Sequence, residues 1–133
     1  MDIALCSLDR NKMVLEFAGA NNPVWILREG DIIEIKADKF PIGSFLDITF
    51  QNFKNNEIAI KEGDIIYVFT DGYADQFGGP KGKKIKYKNL KNILIENKNE
   101  TMLQQKEILY KNLKEWKGDM EQVDDILIMG VKI

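Results

Sequence analysis

Short β-rich runs separated by turn residues fill the first half of this chain, and that alternation limits its fold more than any other feature. Ile3 to Leu8, Val14 to Ala18, Val24 to Leu27 and Ile32 to Ala37 are rich in β-branched and apolar residues. Asp9-Arg10-Asn11-Lys12 and Arg28-Glu29-Gly30-Asp31 read as hairpin connections, and Ala20-Asn21-Asn22-Pro23 as a turn, because Pro23 disfavours helix at Asn22. Phe40-Pro41-Ile42-Gly43 reads as a connection between layers. Ile58 to Lys61 and Asp64 to Phe69 are expected to form a further hairpin around Glu62-Gly63. Glu62-Gly63-Asp64-Ile65-Ile66 echoes Glu29-Gly30-Asp31-Ile32-Ile33, which suggests one turn solution used twice.

The second half changes period. Gly78-Gly79-Pro80-Lys81-Gly82-Lys83-Lys84 has the composition of a flexible basic loop. Tyr87 to Glu96 places Leu90, Ile93 and Leu94 at helical spacing. Met102 to Trp116 places Met102, Leu103, Ile108, Leu109, Leu113 and Trp116 on or near one face, and Gly118 ends that helix. Thr101 has no acid three residues on, so the helix start falls to Asn99 as cap or to Glu100 in the first turn. Ile126 to Ile133 closes the chain as a strand. Many strands, two helices and one strand predict an α+β domain with helices on a mostly antiparallel sheet.

Composition excludes several function classes. The 133 residues suit one domain, and 44% apolar residues suffice for a core without staples. A net charge of −2 leaves no footprint for nucleic acid, and no apolar run is long enough to span a membrane. The start, Met1-Asp2-Ile3-Ala4-Leu5-Cys6, lacks a signal peptide's basic region and cleavage site, and Cys6 is the sole cysteine. Both fit a reducing cytoplasm, with Cys6 expected as a buried structural thiol. The chain has no histidine, so histidine bases, Ser-His triads and imidazole ligands are all excluded.

What remains for chemistry is carboxylate. Thr70-Asp71-Gly72 follows the apolar run Ile65-Ile66-Tyr67-Val68-Phe69, and Val123-Asp124-Asp125 precedes Ile126-Leu127-Ile128-Met129. A carboxylate at a strand end is aimed from a rigid element, and Gly72 lets the backbone turn sharply beside it. Two such groups brought together are hard oxygen ligands of the kind Mg²⁺ and Mn²⁺ prefer.

Val68-Phe69-Thr70-Asp71-Gly72-Tyr73-Ala74-Asp75 and Gln122-Val123-Asp124-Asp125-Ile126 closely resemble the 2C-type metal-dependent serine/threonine protein phosphatases, in their bacterial SpoIIE-like branch. Phe17-Ala18-Gly19-Ala20-Asn21-Asn22-Pro23 and Phe40-Pro41-Ile42-Gly43 resemble that branch's strand connections, and the four landmarks run in order across the chain. The resemblance implies part of an α-β-β-α sandwich of antiparallel sheets, with two Mn²⁺ or Mg²⁺ ions at one end. It implies Asp71 and Asp124 as metal ligands, Asp125 as a secondary candidate, and Gly72 as backbone at the metal site. Metal-activated water, rather than a side chain, then attacks the phosphate. Asp75 is either an outer, second-shell group or a solvated acid at a helix start.

One departure from the family is plain. The family draws its bridging aspartate and an adjacent glycine from a half that precedes the strand beginning here at Asp2, and this sequence has no second Asp-Gly pair. Residues 1–133 therefore resemble the carboxy-terminal part of a phosphatase domain cut from a larger protein, carrying half a metal site and inactive by itself. The implied parent is a cytoplasmic phosphatase acting on phosphoserine or phosphothreonine of a signalling protein, such as an anti-anti-sigma (STAS) type domain, with an upstream sensor or regulatory module.

Blander readings stand beside these. Asp-Gly is common at strand ends. Lys81, Lys83, Lys84, Lys86 and Lys88 either meet a phosphoprotein or are merely solvated, and Trp25 is first a strand residue. The rival to the enzyme is a non-catalytic, pseudophosphatase-like interaction module. With one layer missing, apolar residues alternating through Ile3-Leu5 and Val24-Ile26 are expected to lie exposed, and the chain is expected to self-associate.

Overall fold

The β-rich half folds as two stacked sheets. A computed structural model describes residues 1–43 and 52–133. Strands β1 (Ile3–Asp9), β2 (Val14–Ala20) and β5 (Asn56–Ala59) form one antiparallel sheet in the order β1-β2-β5. Strands β3 (Val24–Arg28), β4 (Asp31–Ile35), β6 (Ile65–Phe69) and β9 (Ile128–Lys132) form a second antiparallel sheet in the order β4-β3-β6-β9. Two-residue strands β7 (Phe77–Gly78) and β8 (Lys83–Lys84) make a small hairpin. The helices are a single turn, α1 (Gly72–Asp75), then α2 (Lys86–Glu96) and α3 (Met102–Lys117). This is the α+β architecture of mostly antiparallel sheets that the pattern predicts, with one helical turn more than expected.

The inner strands of the four-stranded sheet, β3 and β6, are buried on both faces. Toward the three-stranded sheet they turn Val24, Ile26 and Ile66, which meet Leu15, Phe17 and Ile60. Toward the helices they turn Trp25, Leu27, Tyr67 and Phe69, which meet Leu90 and Leu94 of α2 and Leu109 of α3. Period-two alternation in the strands supplies both faces at once. Val24 and Ile26, expected to be exposed, are therefore fully buried. Leu5, also expected to be exposed, does face outward from β1 and is 64% exposed.

Several connections differ from the sequence reading. Residues 56–59 and 65–69 do not form a hairpin, because β5 pairs with β2 and β6 with β3 and β9. The two echoing Glu-Gly-Asp segments take different turns. Glu29 and Gly30 both have positive φ (53° and 96°), as a type I′ hairpin requires, whereas at Glu62-Gly63 only Gly63 does (88°). The second turn passes the chain between sheets and buries Asp64. The basic segment 78–84 is a hairpin rather than a free loop. Gly79 N–H donates to the Trp116 carbonyl at 2.8 Å, and a Cβ on Gly78 would collide with that same carbonyl.

Thr101, not Asn99 or Glu100, caps α3. Its hydroxyl accepts from Gln104 N–H (3.2 Å) while the Gln104 side chain accepts from Thr101 N–H (3.0 Å). A neutral amide thus completes the capping box for which the sequence reading sought an acid. Leu103 lies off the core face, 67% exposed. Cys6 is exposed on β1 rather than buried, and partial enclosure pushes its thiol up, which disfavours the reactive thiolate. Among the described residues no helix is long and apolar enough to cross a membrane.

Candidate metal centre

Antiparallel register brings together the two acidic turns that the sequence holds more than fifty residues apart. Strand β6 lies between β3 and β9, and its last residue Phe69 is paired with Ile128, the first of β9. Residues just after β6 must therefore adjoin residues just before β9. Thr70 fixes the junction. Its N–H donates to the Leu127 carbonyl (3.0 Å), and its hydroxyl donates to the Asp125 carbonyl (2.8 Å) while accepting from Leu127 N–H (3.0 Å). Asp71 follows directly, and Gly72 packs so closely on the Asp125 backbone that a Cβ there would overlap its carbonyl oxygen.

Gly72→Ala is accordingly expected to push the 124–126 segment off the end of β6. Amide chemical shifts of Asp124, Asp125 and Ile126 should move while those of the β1–β2 hairpin stay in place. Unmoved shifts at Asp125 would show that the close approach is dispensable.

Asp71, Asp124 and Asp125 are all exposed at this end of the sheet. One Asp124 carboxylate oxygen accepts from Asp125 N–H at 2.7 Å, and the Asp124 carbonyl accepts from the Gln122 side chain at 2.8 Å. Asp75 ends the α1 turn, its N–H donating to the Asp71 carbonyl (2.9 Å). Its carboxylate pairs with Lys84 at 3.0 Å, so one of the flagged lysines is anchored to an acid. Lys81, Lys83, Lys86 and Lys88 make no such pair among the described residues.

Hard carboxylate oxygens at one end of a rigid sheet fit a divalent cation in kind. They do not fit it in number, since no group of three or more His, Cys, Asp or Glu that could hold a metal occurs among the described residues. The chain presents part of a donor set.

Three contributors escaped the sequence reading. Thr70 reads as the last residue of a strand, and only its hydroxyl beside Asp71 hints at a staple. Gln76 is fully buried and donates to the Glu121 carbonyl at 2.8 Å, tying the segment that leads to Asp124 onto the α1 turn. No periodic signal marks it. Tyr87 of α2 packs its ring 6.0 Å from Phe69 and 5.8 Å from Trp25. Burial pushes its phenol up, and the negative charges of Asp71, Asp75 and Glu34 push the same way. Tyr87 therefore forms an aromatic wall on the side of Asp71 and Asp75.

Helices on a pair of stacked antiparallel sheets, with carboxylates at one end of the central sheet, define the architecture of 2C-type protein phosphatase domains. The family model for Stage II sporulation protein E (SpoIIE) matches residues 1–133, and the chain belongs to that family. No curated protein sequence matches it closely. The SiaA-PP2C domain of Pseudomonas aeruginosa superposes with a TM-score of 0.90 at 28% identity, over 99% of this chain and 51% of that one. The phosphatase domain of the cell fate determinant SpoIIE from Bacillus subtilis, presoaked with Mn, superposes at 0.73 with 18% identity, over 100% of this chain and 56% of that one. The Mycobacterium tuberculosis serine/threonine phosphatase PstP/Ppp shares the fold at 0.54 and 13% identity, over 86% of this chain and 55% of that one. The chain thus spans about half the length of these solved domains.

Proposed function

We propose that this chain is the carboxy-terminal part of a metal-dependent phosphoprotein phosphatase domain that hydrolyses phosphoserine or phosphothreonine of a bacterial signalling protein. The observation that carries the reading is the junction at Thr70, which joins the Asp71 turn to the Asp124-Asp125 turn, in a chain matched throughout by the SpoIIE family. Asp71 and Asp124 would hold Mn²⁺ or Mg²⁺, with Asp125 as a further candidate, Gly72 keeping the backbone close, and Asp75 outside them. Two such ions, when bound, lower the pKa of a coordinated water and neutralise phosphate oxygens. The chain's own part is to fix the carboxylates. Thr70 and Gln76 hold the late turn in place, and Tyr87 walls one side with an aromatic surface.

The remaining ligands belong to a half of the domain not contained in these residues, so the chain alone is inactive. In this reading the parent is a cytoplasmic protein with an upstream sensor or regulatory domain, acting on a phosphoprotein such as an anti-anti-sigma (STAS) type protein. A non-catalytic interaction module is the alternative, favoured only by the short donor set among the described residues.

One assay with Mn²⁺ separates these readings, run on a protein carrying both halves of the domain, on its Asp71→Asn form, and on the 133-residue chain. The first should turn over a phosphoprotein. The second should lose at least about a hundredfold, since losing even a partner of a ligand costs 10–100-fold. The third should show nothing above background. Equal activity in the first two would remove Asp71 from the metal site. No turnover in either would leave the interaction module. Chelator-sensitive turnover by the chain alone would refute the half-site.

A further inference from the structure

A groove opens between α2 and α3, and every residue lining it belongs to the helical side of the molecule. It holds about 250 Å³. Its base is apolar, with Tyr73 and Ile85 buried there and Ile93 and Trp116 half-buried beside them. The base is also fixed. Tyr73 donates its hydroxyl to the Leu109 carbonyl (3.1 Å), and Trp116 Nε1–H donates to the Lys83 carbonyl (3.1 Å). Tyr73 follows Gly72 directly, so the groove starts behind the Asp71 turn.

The rest of the lining is asparagine: Asn89 and Asn92 of α2 and Asn112 of α3, all exposed. Asparagine inside a helix is less favourable than alanine, so three of them around one groove carry a cost. Each carboxamide sets a donor beside an acceptor, the complement of a backbone peptide group. Asn112 gives one N–H to the Ile108 carbonyl (2.9 Å), while Asn89 and Asn92 make no side-chain bond among the described residues.

Charge around the groove has one sign. No carboxylate lines it, and none stands between Asp75 and Glu96, a stretch that holds six lysines. Lys84 pairs with Asp75 and Lys91 with Glu34. Lys81, Lys83, Lys86 and Lys88 are exposed and lack an acidic partner among the described residues. Lys86 lies on the same side of α2 as Asn89 and Ile93 by helical spacing. It holds a left-handed backbone (φ 69°), where asparagine or glycine would be easier. Strain kept at such a position points to a use for its ammonium group.

We propose that this groove docks an extended, acidic segment of the phosphoprotein substrate. The segment's backbone bonds to Asn89, Asn92 and Asn112, one of its side chains fills the apolar base, and its carboxylates meet Lys86 and the neighbouring lysines. The nature of the partner rests on the phosphatase reading.

Binding to a protein carrying both halves of the domain, with chelator present so that no metal contributes, tests it. The probes are a phosphoserine peptide with glutamate-rich flanks and its counterpart with lysine-rich flanks. The first should bind and shift the Trp116 indole resonance, and the second should not. Asn89→Ala combined with Asn92→Ala puts a stronger helix former at two exposed positions, so the fold is kept. It should nevertheless weaken binding at least about tenfold, the effect of losing two hydrogen bonds. Lys86→Glu should weaken it too, and more at low salt than at high salt. With Mn²⁺ restored, KM for the peptide should rise by the same factor in the double variant, while kcat and the turnover of p-nitrophenyl phosphate hold. Absence of ester turnover in the unsubstituted protein would sink the phosphatase reading, and the measurement in chelator would still decide the groove. Unchanged affinity in the double variant, or equal affinity for the two peptides, would overturn the proposal. So would no binding of the acidic peptide, and ester turnover altered by the double substitution would then give the groove to a segment of the parent's own chain.

Discussion

Asp64→Ala should cost about 3–5 kcal/mol of folding stability, the loss expected when one partner of a buried ion pair is removed and the other is left uncompensated. Asp64 is 2% exposed at the turn where the chain passes from β5 to β6. Its carboxylate accepts from Arg28 Nε and Nη2 (2.9 and 2.6 Å) and from Lys61 N–H (2.8 Å). Arg28 also donates to the Ala59 carbonyl (2.9 Å), so the pair clamps β3 to the end of β5 across the two sheets. Burial pushes the Asp64 carboxyl up, but the Arg28 hydrogen bond, the Lys61 N–H and the two positive charges outweigh it and hold the group below its ordinary value. A lowered folded-state value stabilises the fold above the unfolded-chain carboxylate pKa of about 3.9, and the gain disappears as pH falls through the folded value. Urea titration of wild type and Asp64→Ala at neutral pH should therefore show the full gap, and the gap should narrow only below about pH 4. A neutral-pH gap under about 1 kcal/mol would mean that the pair behaves like a surface contact.

Trp25→Ala should cost a similar amount, about 3–5 kcal/mol, by opening a cavity between the central sheet and α2. The indole is 1% exposed, with its ring 4.3 Å from Phe69 and the Lys91 ammonium 4.8 Å from its centroid. Its Nε1–H has no hydrogen-bond partner among the described residues. Trp25→Phe removes that costly unpaired donor along with some volume, so it should lose less than half as much. Equal losses for the two variants, measured by thermal and urea unfolding, would show that the indole N–H is bonded in solution. Because Phe69 lies two residues before Asp71, the Ala variant should also loosen the acidic turn, visible as faster amide exchange at Thr70 and Asp71.

The strands, the two long helices and the acidic strand-end turns were readable because each is a local signal. Alternation at β2 and β3, helical spacing of Leu90 and Leu94, and an aspartate beside Gly72 need no knowledge of the rest of the chain. So was the family, since its landmarks are contiguous peptides. Which strands pair is not local. Glu29-Gly30 and Glu62-Gly63 share their letters, yet one closes a hairpin and the other crosses between sheets. At the second, Asp64 leaves the crossing to bond Arg28 beside it in the same sheet, while Arg28 reaches the Ala59 carbonyl of the other sheet. Burial of Val24 and Ile26 likewise waits on a second sheet contributed by β1, β2 and β5. The sequence by itself determined an α+β chain with carboxylates at two strand ends and no histidine chemistry. Only the tertiary structure decided that those ends meet, because antiparallel β6 and β9 set Phe69 beside Ile128 and let the Thr70 hydroxyl staple one turn to the other.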